Sequence, residues 1–130
     1  MSSIFTKIIN RELSANIVFE DSGNIAFMDI NPVKKGHVLV VPKLEIDNIF
    51  ELPLENYLSL FSFAKKVSNG IKKVISCNRI GISVIGLEVP HAHIHLIPIS
   101  KLEDLNFSSK ITISAEELNL LAQKISKEIK

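Results

Sequence analysis

Apolar positions along the chain follow two periods, and the places where one gives way to the other mark out the elements. Asn16 to Phe19 and Asn24 to Asp29 are short apolar runs on either side of Asp21-Ser22-Gly23, a pattern that predicts a β-hairpin. Asn31-Pro32-Val33-Lys34-Lys35-Gly36 is a polar turn-rich loop, and it leads into the β-branched run His37-Val38-Leu39-Val40-Val41, stopped by Pro42. From Pro53, which suits a first helical turn, the period changes. Apolar residues recur at Leu54, Tyr57, Leu58, Phe61, Ala64, Val67, Ile71, Val74 and Ile75, with Lys65, Lys66, Lys72 and Lys73 largely off that stripe. Spacings of three and four predict one long helix. Arg79 to Leu87 and His91 to Ile97 read as two further strands. At the ends, Ser2 or Ser3 caps a short helix through about Asn10, and Ser114 with Glu117 makes a capping box for a helix over about 114–129.

About five strands, a hairpin among them, with one long central helix and a C-terminal helix, predict an α+β fold built on a mainly antiparallel sheet. No repeat or low-complexity linker divides the 130 residues, so the expectation is a single domain over 1–130. Hydrophobic residues at 46% and charged residues at 22% are a globular balance. The net charge of +1, with both signs interspersed, argues against nucleic acid as the principal partner. An anionic ligand therefore needs a local site. Cys77 is the only cysteine, which rules out an intramolecular disulfide and a cysteine-based zinc site. The N-terminal residues lack the apolar stretch of a signal peptide, and runs such as Val38-Leu39-Val40-Val41 are too short to cross a bilayer. No membrane association and a cytoplasmic location are expected.

The chemistry concentrates at His91-Ala92-His93-Ile94-His95-Leu96-Ile97. On a strand, alternate side chains share a face, so the three imidazoles line up about 6.5–7 Å apart while Ala92, Ile94 and Leu96 pack on the core. Pro98 is expected to end the pairing. Such a row serves either of two chemistries. It can ligate a metal in a jelly-roll barrel, but the nearest following acid, Glu103, lies beyond Pro98, and His37 starts another strand. It can instead handle phosphate, one imidazole attacking phosphorus while neighbouring N–H groups stabilise the oxygens. The missing carboxylate ligand favours phosphate, with no metal and no cofactor.

Residues 91–97 match at every position the pattern His-φ-His-φ-His-φ-φ, with φ apolar, and so the chain resembles the histidine-triad (HIT) family of nucleotide hydrolases and transferases. Three further blocks resemble the family's successive strands in the same order: Ile17-Val18-Phe19-Glu20-Asp21, Ile25 through Pro32, and Gly36 through Lys43. The resemblance covers roughly residues 8–99 and implies a HIT-like fold, a homodimer and a purine nucleotide or nucleotide conjugate as ligand. It implies that His93 attacks the α-phosphate, that His95 hydrogen-bonds the phosphate, and that His91 supports ring orientation and proton traffic. It also implies that Asp29 accepts from the ribose hydroxyls and that Phe19, Phe27 and Ile30 wall the base. A plainer reading of those three is core packing, and of Asp29 a turn cap. His37 belongs to the Gly-His strand signature and is read as structural.

The chain departs from the family pattern in three places. Glu45 stands where many relatives carry a fourth histidine, and either accepts from an imidazole or faces solvent. Leu87 replaces a glutamine, and Glu88 occupies a substrate-contact position that relatives often fill with Ser or Thr. The part beyond Ile99 does not resemble the tail that shapes leaving-group choice in some branches. The expected activity is cleavage of purine nucleoside 5′-phosphoramidates or related conjugates through a nucleotidyl-histidine. The alternatives are a dinucleoside polyphosphate hydrolase, a nucleotide-binding module with little catalysis, and more distantly a metal-binding barrel. Phe63, about 200° around the helix from Phe61, is expected to be buried only by a second chain, at a dimer seam with Tyr57, Leu58 and Phe61.

Overall fold

The computed structural model describes residues 2–129. Five strands form one open antiparallel sheet: β1 (Ile17–Glu20), β2 (Asn24–Met28), β3 (Val38–Pro42), β4 (Arg79–Ser83) and β5 (Ile94–Ile99), in the order β1-β2-β3-β5-β4. The helices are α1 (Ile4–Ile9), α2 (Leu54–Val74) and α3 (Ala115–Glu128). The fold is α+β, as the pattern requires. It is a sheet with two free edges rather than a closed barrel, so the metal-binding jelly roll is excluded.

The hairpin forms where expected because Asp21 Oδ1 accepts the backbone N–H groups of Gly23 and Asn24, at 2.9 and 2.8 Å. The register then slips at Val18: Ile17 pairs with Phe27, but Phe19 pairs with Ala26. That bulge carries Phe19 to the helix side of the sheet. α2 and α3 cover this side, over a core of Ala26, Met28, Val38, Val40, Ile94 and Leu96. Ser114 Oγ caps α3 by accepting from Glu117 N–H at 3.1 Å. The Glu117 carboxylate turns to Lys35 at 2.7 Å instead of closing the box.

Several expectations are corrected. The buried face of α2 consists of Leu60, Phe63, Ala64, Val67, Gly70 and Ile71, whereas Leu54 and Leu58 are exposed. The helix carries two overlapping apolar stripes in its first half, and the sheet takes the one that includes Phe63. Phe63 is 2% exposed within its own chain and stacks on Phe19 at 5.4 Å, so it is not a residue that only a second chain buries. β4 ends at Ser83 rather than Leu87, and the chain loops through Gly86 at φ 74°. β5 starts at Ile94 rather than His91, and Ala92 N–H donates to Ile46 O at 2.7 Å instead of to β3. It also continues through Pro98. By then β5 has passed Leu96, its last residue to pair with β3 (opposite Val38), and pairs only with β4, an edge on which a proline is tolerated.

Candidate active site

The site lies on the other face of the sheet, where α1 packs. Phe5 and Ile8 of α1 join Ile25, Phe27, Leu39 and Val41 in a second apolar cluster. Leu39 and Ser83 flank His95 in the sheet. Of the three histidines only His95 lies within β5. Just ahead of the strand, His93 keeps the same face, its ring 4.9 Å from that of His95. His91 leaves the row and turns toward α1.

Hydrogen bonds assign a proton to each ring, since a carbonyl can only accept and a backbone N–H can only donate. His91 Nε2 faces Pro42 O at 2.8 Å and must carry hydrogen, so its Nδ1 accepts from Ser3 Oγ at 2.7 Å. Both nitrogens are thereby engaged and the ring is braced, not open for proton traffic. His93 Nδ1 faces His91 O at 2.7 Å and must also carry hydrogen. Its Nε2 keeps a lone pair. His37 Nδ1 accepts from Val33 N–H at 3.0 Å, so its Nε2 carries the hydrogen and donates to His95 Nδ1, also at 3.0 Å. His95 therefore presents Nε2–H. The site offers a bare imidazole nitrogen on His93 beside an imidazole N–H on His95.

Burial keeps all four rings neutral. It pushes His37 down to about 3 and His95 down to about 4, helped by the crowding of imidazoles that oppose one another's protonation and by the charge of Lys110, and it lowers His91 and His93 as well. Asp29 moves the other way: burial raises it, while Asn31 N–H, 2.8 Å from Oδ1, partly offsets that. Its Oδ2 lies 3.5 Å from His37 Nε2. Asp29 thus caps the Asn31 turn with one oxygen and faces the histidines with the other. The loop that holds them closes through Asp29 N–H to His37 O at 3.1 Å. Gly36 is required there. Its φ is 89°, and a Cβ would lie 2.8 Å from Ile75 and 3.1 Å from Pro98.

Asp29, His37 and His95 place potential ligand atoms within 4.8 Å of one another, a carboxylate that sequence reading did not bring to the row. The hydrogen bonds disfavour a cation there. With Nδ1 accepting from Val33, His37 could coordinate through Nε2 only by losing both ring protons.

The remaining positions sort by face. Phe27 is on the site face, with the Phe5 ring 5.5 Å from it and 4.9 Å from His93. Phe19 is on the opposite face and is corrected to a core residue. Ile30 is exposed beyond Asp29, and Glu88 is exposed in the β4–β5 loop, close enough for its charge to raise Asp29 and His93. A cleft of about 370 Å³ opens beside His93 against Asn48, Phe50, Val84 and Ile85. Glu45 touches no imidazole. It accepts from Ser3 N–H at 2.9 Å and from Thr6 Oγ1 at 2.5 Å, clamping the start of α1, and these bonds hold its carboxyl below the ordinary range. Phe5 was missed by sequence reading, although its place in a Ser3-capped helix beside Ile8 was a usable sign. Phe107, whose ring lies 4.9 Å from that of His95, was missed with none.

Neutral histidines arranged as lone pair and donor, walled by aromatics, are thus carried together on one face of an antiparallel sheet. The chain belongs to the HIT family, whose domain matches residues 10–102. It is 35% identical to an uncharacterized HIT-like protein of Borreliella burgdorferi over 97% of both chains. It is 34% identical to the adenosine 5′-monophosphoramidase hnt1 of Schizosaccharomyces pombe over 100% of both. Among solved structures it resembles a Hit-like protein from Bartonella henselae, with a TM-score of 0.86 and 30% identity over 98% of this chain and 96% of that one.

Proposed function

We propose that this protein is a nucleotide-binding hydrolase that cleaves purine nucleoside 5′-phosphoramidates or related conjugates at the α-phosphate. The observation that carries the reading is the 2.7 Å bond from His93 Nδ1–H to His91 O, which leaves Nε2 as the free nucleophile. His93 Nε2 attacks phosphorus, an N–P bond forms, and the bond to the leaving amine breaks. The amine takes a proton from solvent. His95 Nε2–H donates to a phosphoryl oxygen throughout, and the His91 carbonyl stabilises the charge that develops on the His93 ring. Water then attacks phosphorus, the N–P electron pair returns to His93, and the proton leaves to solvent. Asp29 receives the ribose hydroxyls, Phe5, Phe27 and Ile30 flank the base, and Glu88 stands at the mouth. The named activity of the fission-yeast relative supports this class of substrate.

The test is turnover of adenosine 5′-phosphoramidate quenched in alkaline denaturant, which preserves an imidazole N–P bond, followed by mass spectrometry at neutral to alkaline pH. A nucleotidyl adduct on the peptide containing His93, absent in His93→Gly, is expected. Turnover without any adduct, undiminished in His93→Gly, would contradict the route. Running a dinucleoside polyphosphate alongside separates the two leaving-group readings.

We also propose that the protein works in the cytoplasm as a homodimer. The support for the dimer is the free edge of β4, with Ile82 exposed on it and Val84 and Ile85 exposed just beyond its end, together with exposed Leu54 and Leu58 on α2. Among the described residues no helix is long and apolar enough to cross a membrane. Light scattering of the wild type and Leu58→Glu checks the assembly: a one-chain mass for the wild type would refute it.

A further inference from the structure

The site as described poses an electrostatic problem for a phosphate ligand. Its four imidazoles are neutral, and its two fixed charges, Asp29 and Glu88, are both negative. A phosphate monoester brought among them meets repulsion from both carboxylates, which a nearby cation would offset. A lysine reaches this neighbourhood from a part of the chain outside the family match, which ends at residue 102.

After β5 the chain makes a 3-10 turn over Leu102–Asp104 and runs back across the site before α3. Asp104 holds the start of this segment through Lys34 at 3.0 Å and Ser100 N–H at 2.8 Å. Asn106 folds it into a tight turn, its Oδ1 accepting from Ser108 N–H at 3.0 Å and its backbone carbonyl from Ser109 N–H, also at 3.0 Å. Ile111 N–H then donates to Pro32 O at 2.8 Å, pinning the turn to the loop that carries Asp29 and His37. Between these anchors Phe107 packs edge-on against His95 at 4.9 Å and His37 at 6.2 Å. Lys110 lies over the Phe107 ring, its Nζ 5.4 Å from the centroid, and is exposed. Its charge reaches Asp29, His37 and His95. The other lysines of this neighbourhood are occupied, Lys34 with Asp104 and Lys35 with Glu117.

We propose that the Phe107–Lys110 turn is a ligand-binding wall of this site, with Lys110 the cation that receives the phosphate of a nucleoside 5′-phosphate and Phe107 the platform that keeps it there. This rests on the reading of the site as a nucleotide site. Lys110 acts on affinity for the anionic group and takes no part in bond making. A cation held over an aromatic ring at an open mouth loses less freedom on meeting an anion than a free surface lysine does.

Calorimetry with AMP and with adenosine tests it, on the wild type, Lys110→Gln, Lys110→Arg and the distant surface control Lys124→Gln. The wild type is expected to bind AMP more tightly than adenosine. Lys110→Gln should weaken AMP roughly fivefold at low salt, less at high salt, and leave adenosine unchanged. Lys110→Arg and Lys124→Gln should behave as wild type. A wild-type preference for AMP that survives in Lys110→Gln overturns the inference and leaves the nucleotide reading standing. An equal loss of adenosine binding overturns the phosphate assignment. Failure of the wild type to bind either ligand overturns the nucleotide reading and this inference with it.

Discussion

The two faces of the sheet are built from the same strands and do different work. On the helix side Phe63, Val67, Ile71, Leu118 and Ile125 bring α2 and α3 down on an apolar cluster, with Asn24 of β2 buried at its rim and donating to Ser59 of α2. On the other side His37, His91, His93 and His95 are all buried among Phe5, Phe27 and Leu39. Strand alternation makes the division, for Ile94 and Leu96 point one way while His93 and His95 point the other. Burying a polar ring is costly unless its nitrogens are bonded, and no buried side-chain nitrogen or oxygen among the described residues lacks a partner. His93 Nε2 and His95 Nε2 have no such partner, so they are the atoms that reach the open side. One face maximises burial; the other spends its hydrogen bonds on leaving two nitrogens free.

If that division holds, substitutions on the two faces separate chemistry from stability. The largest effect belongs to His93→Ala, which should lower phosphoramidate turnover by about a thousandfold or more while the protein stays folded. A fall of less than tenfold would break the assignment. Phe63→Ala, on the helix side, should cost about 3–5 kcal/mol in urea unfolding and leave the Michaelis constant of the surviving folded protein unchanged. The reverse pattern would mean that the faces are not independent. The histidine face should also set the acid limit of stability. His37 and His95 stay neutral in the fold to about 3 and about 4, whereas the unfolded chain takes up protons below the ordinary value of 6.5. Their contribution is complete above 6.5 and drains away as pH falls from there toward 4, at up to about 1.4 kcal/mol per pH unit for each ring. Asp29, raised by burial, works in the opposite sense over the carboxylate range. Urea midpoints that do not move between pH 6.5 and 4 would contradict the burial. The smallest effect is that of Ser3→Ala, which removes the α1 cap and the His91 contact. About 1 kcal/mol is expected, with α1 and its Phe5 loosened over the site.

Much of this was legible in the sequence where the pattern is local. The Asp21-Ser22-Gly23 hairpin, the Pro53-led helix, the Ser114 cap and the outward face of His93 and His95 all follow from periods and turn residues. What failed depends on contacts distant along the chain. A one-residue bulge at Val18 decides which face Phe19 serves, and nothing in Ile17-Val18-Phe19 announces it. The stripe that α2 buries was ambiguous because Leu54, Leu58, Leu60 and Phe63 surround its first half. His91 looked equivalent to its neighbours by spacing, yet Ser3, 88 residues away, turns it aside. Glu45 looked like a stand-in for a histidine and instead clamps α1. His37, read as structural, sets the proton on His95 across 58 residues, a role visible only once β3 lies beside β5.

Attack by His93 depends on where the four ring protons sit, and histidine tautomers can be measured. Two-bond proton–nitrogen correlation spectra of the nitrogen-15-labelled protein at neutral pH should show four neutral rings. His93 should carry its hydrogen on Nδ1, and His37, His91 and His95 on Nε2. A His93 ring protonated on Nε2, or charged at neutral pH, would leave no lone pair for attack and would contradict the central claim.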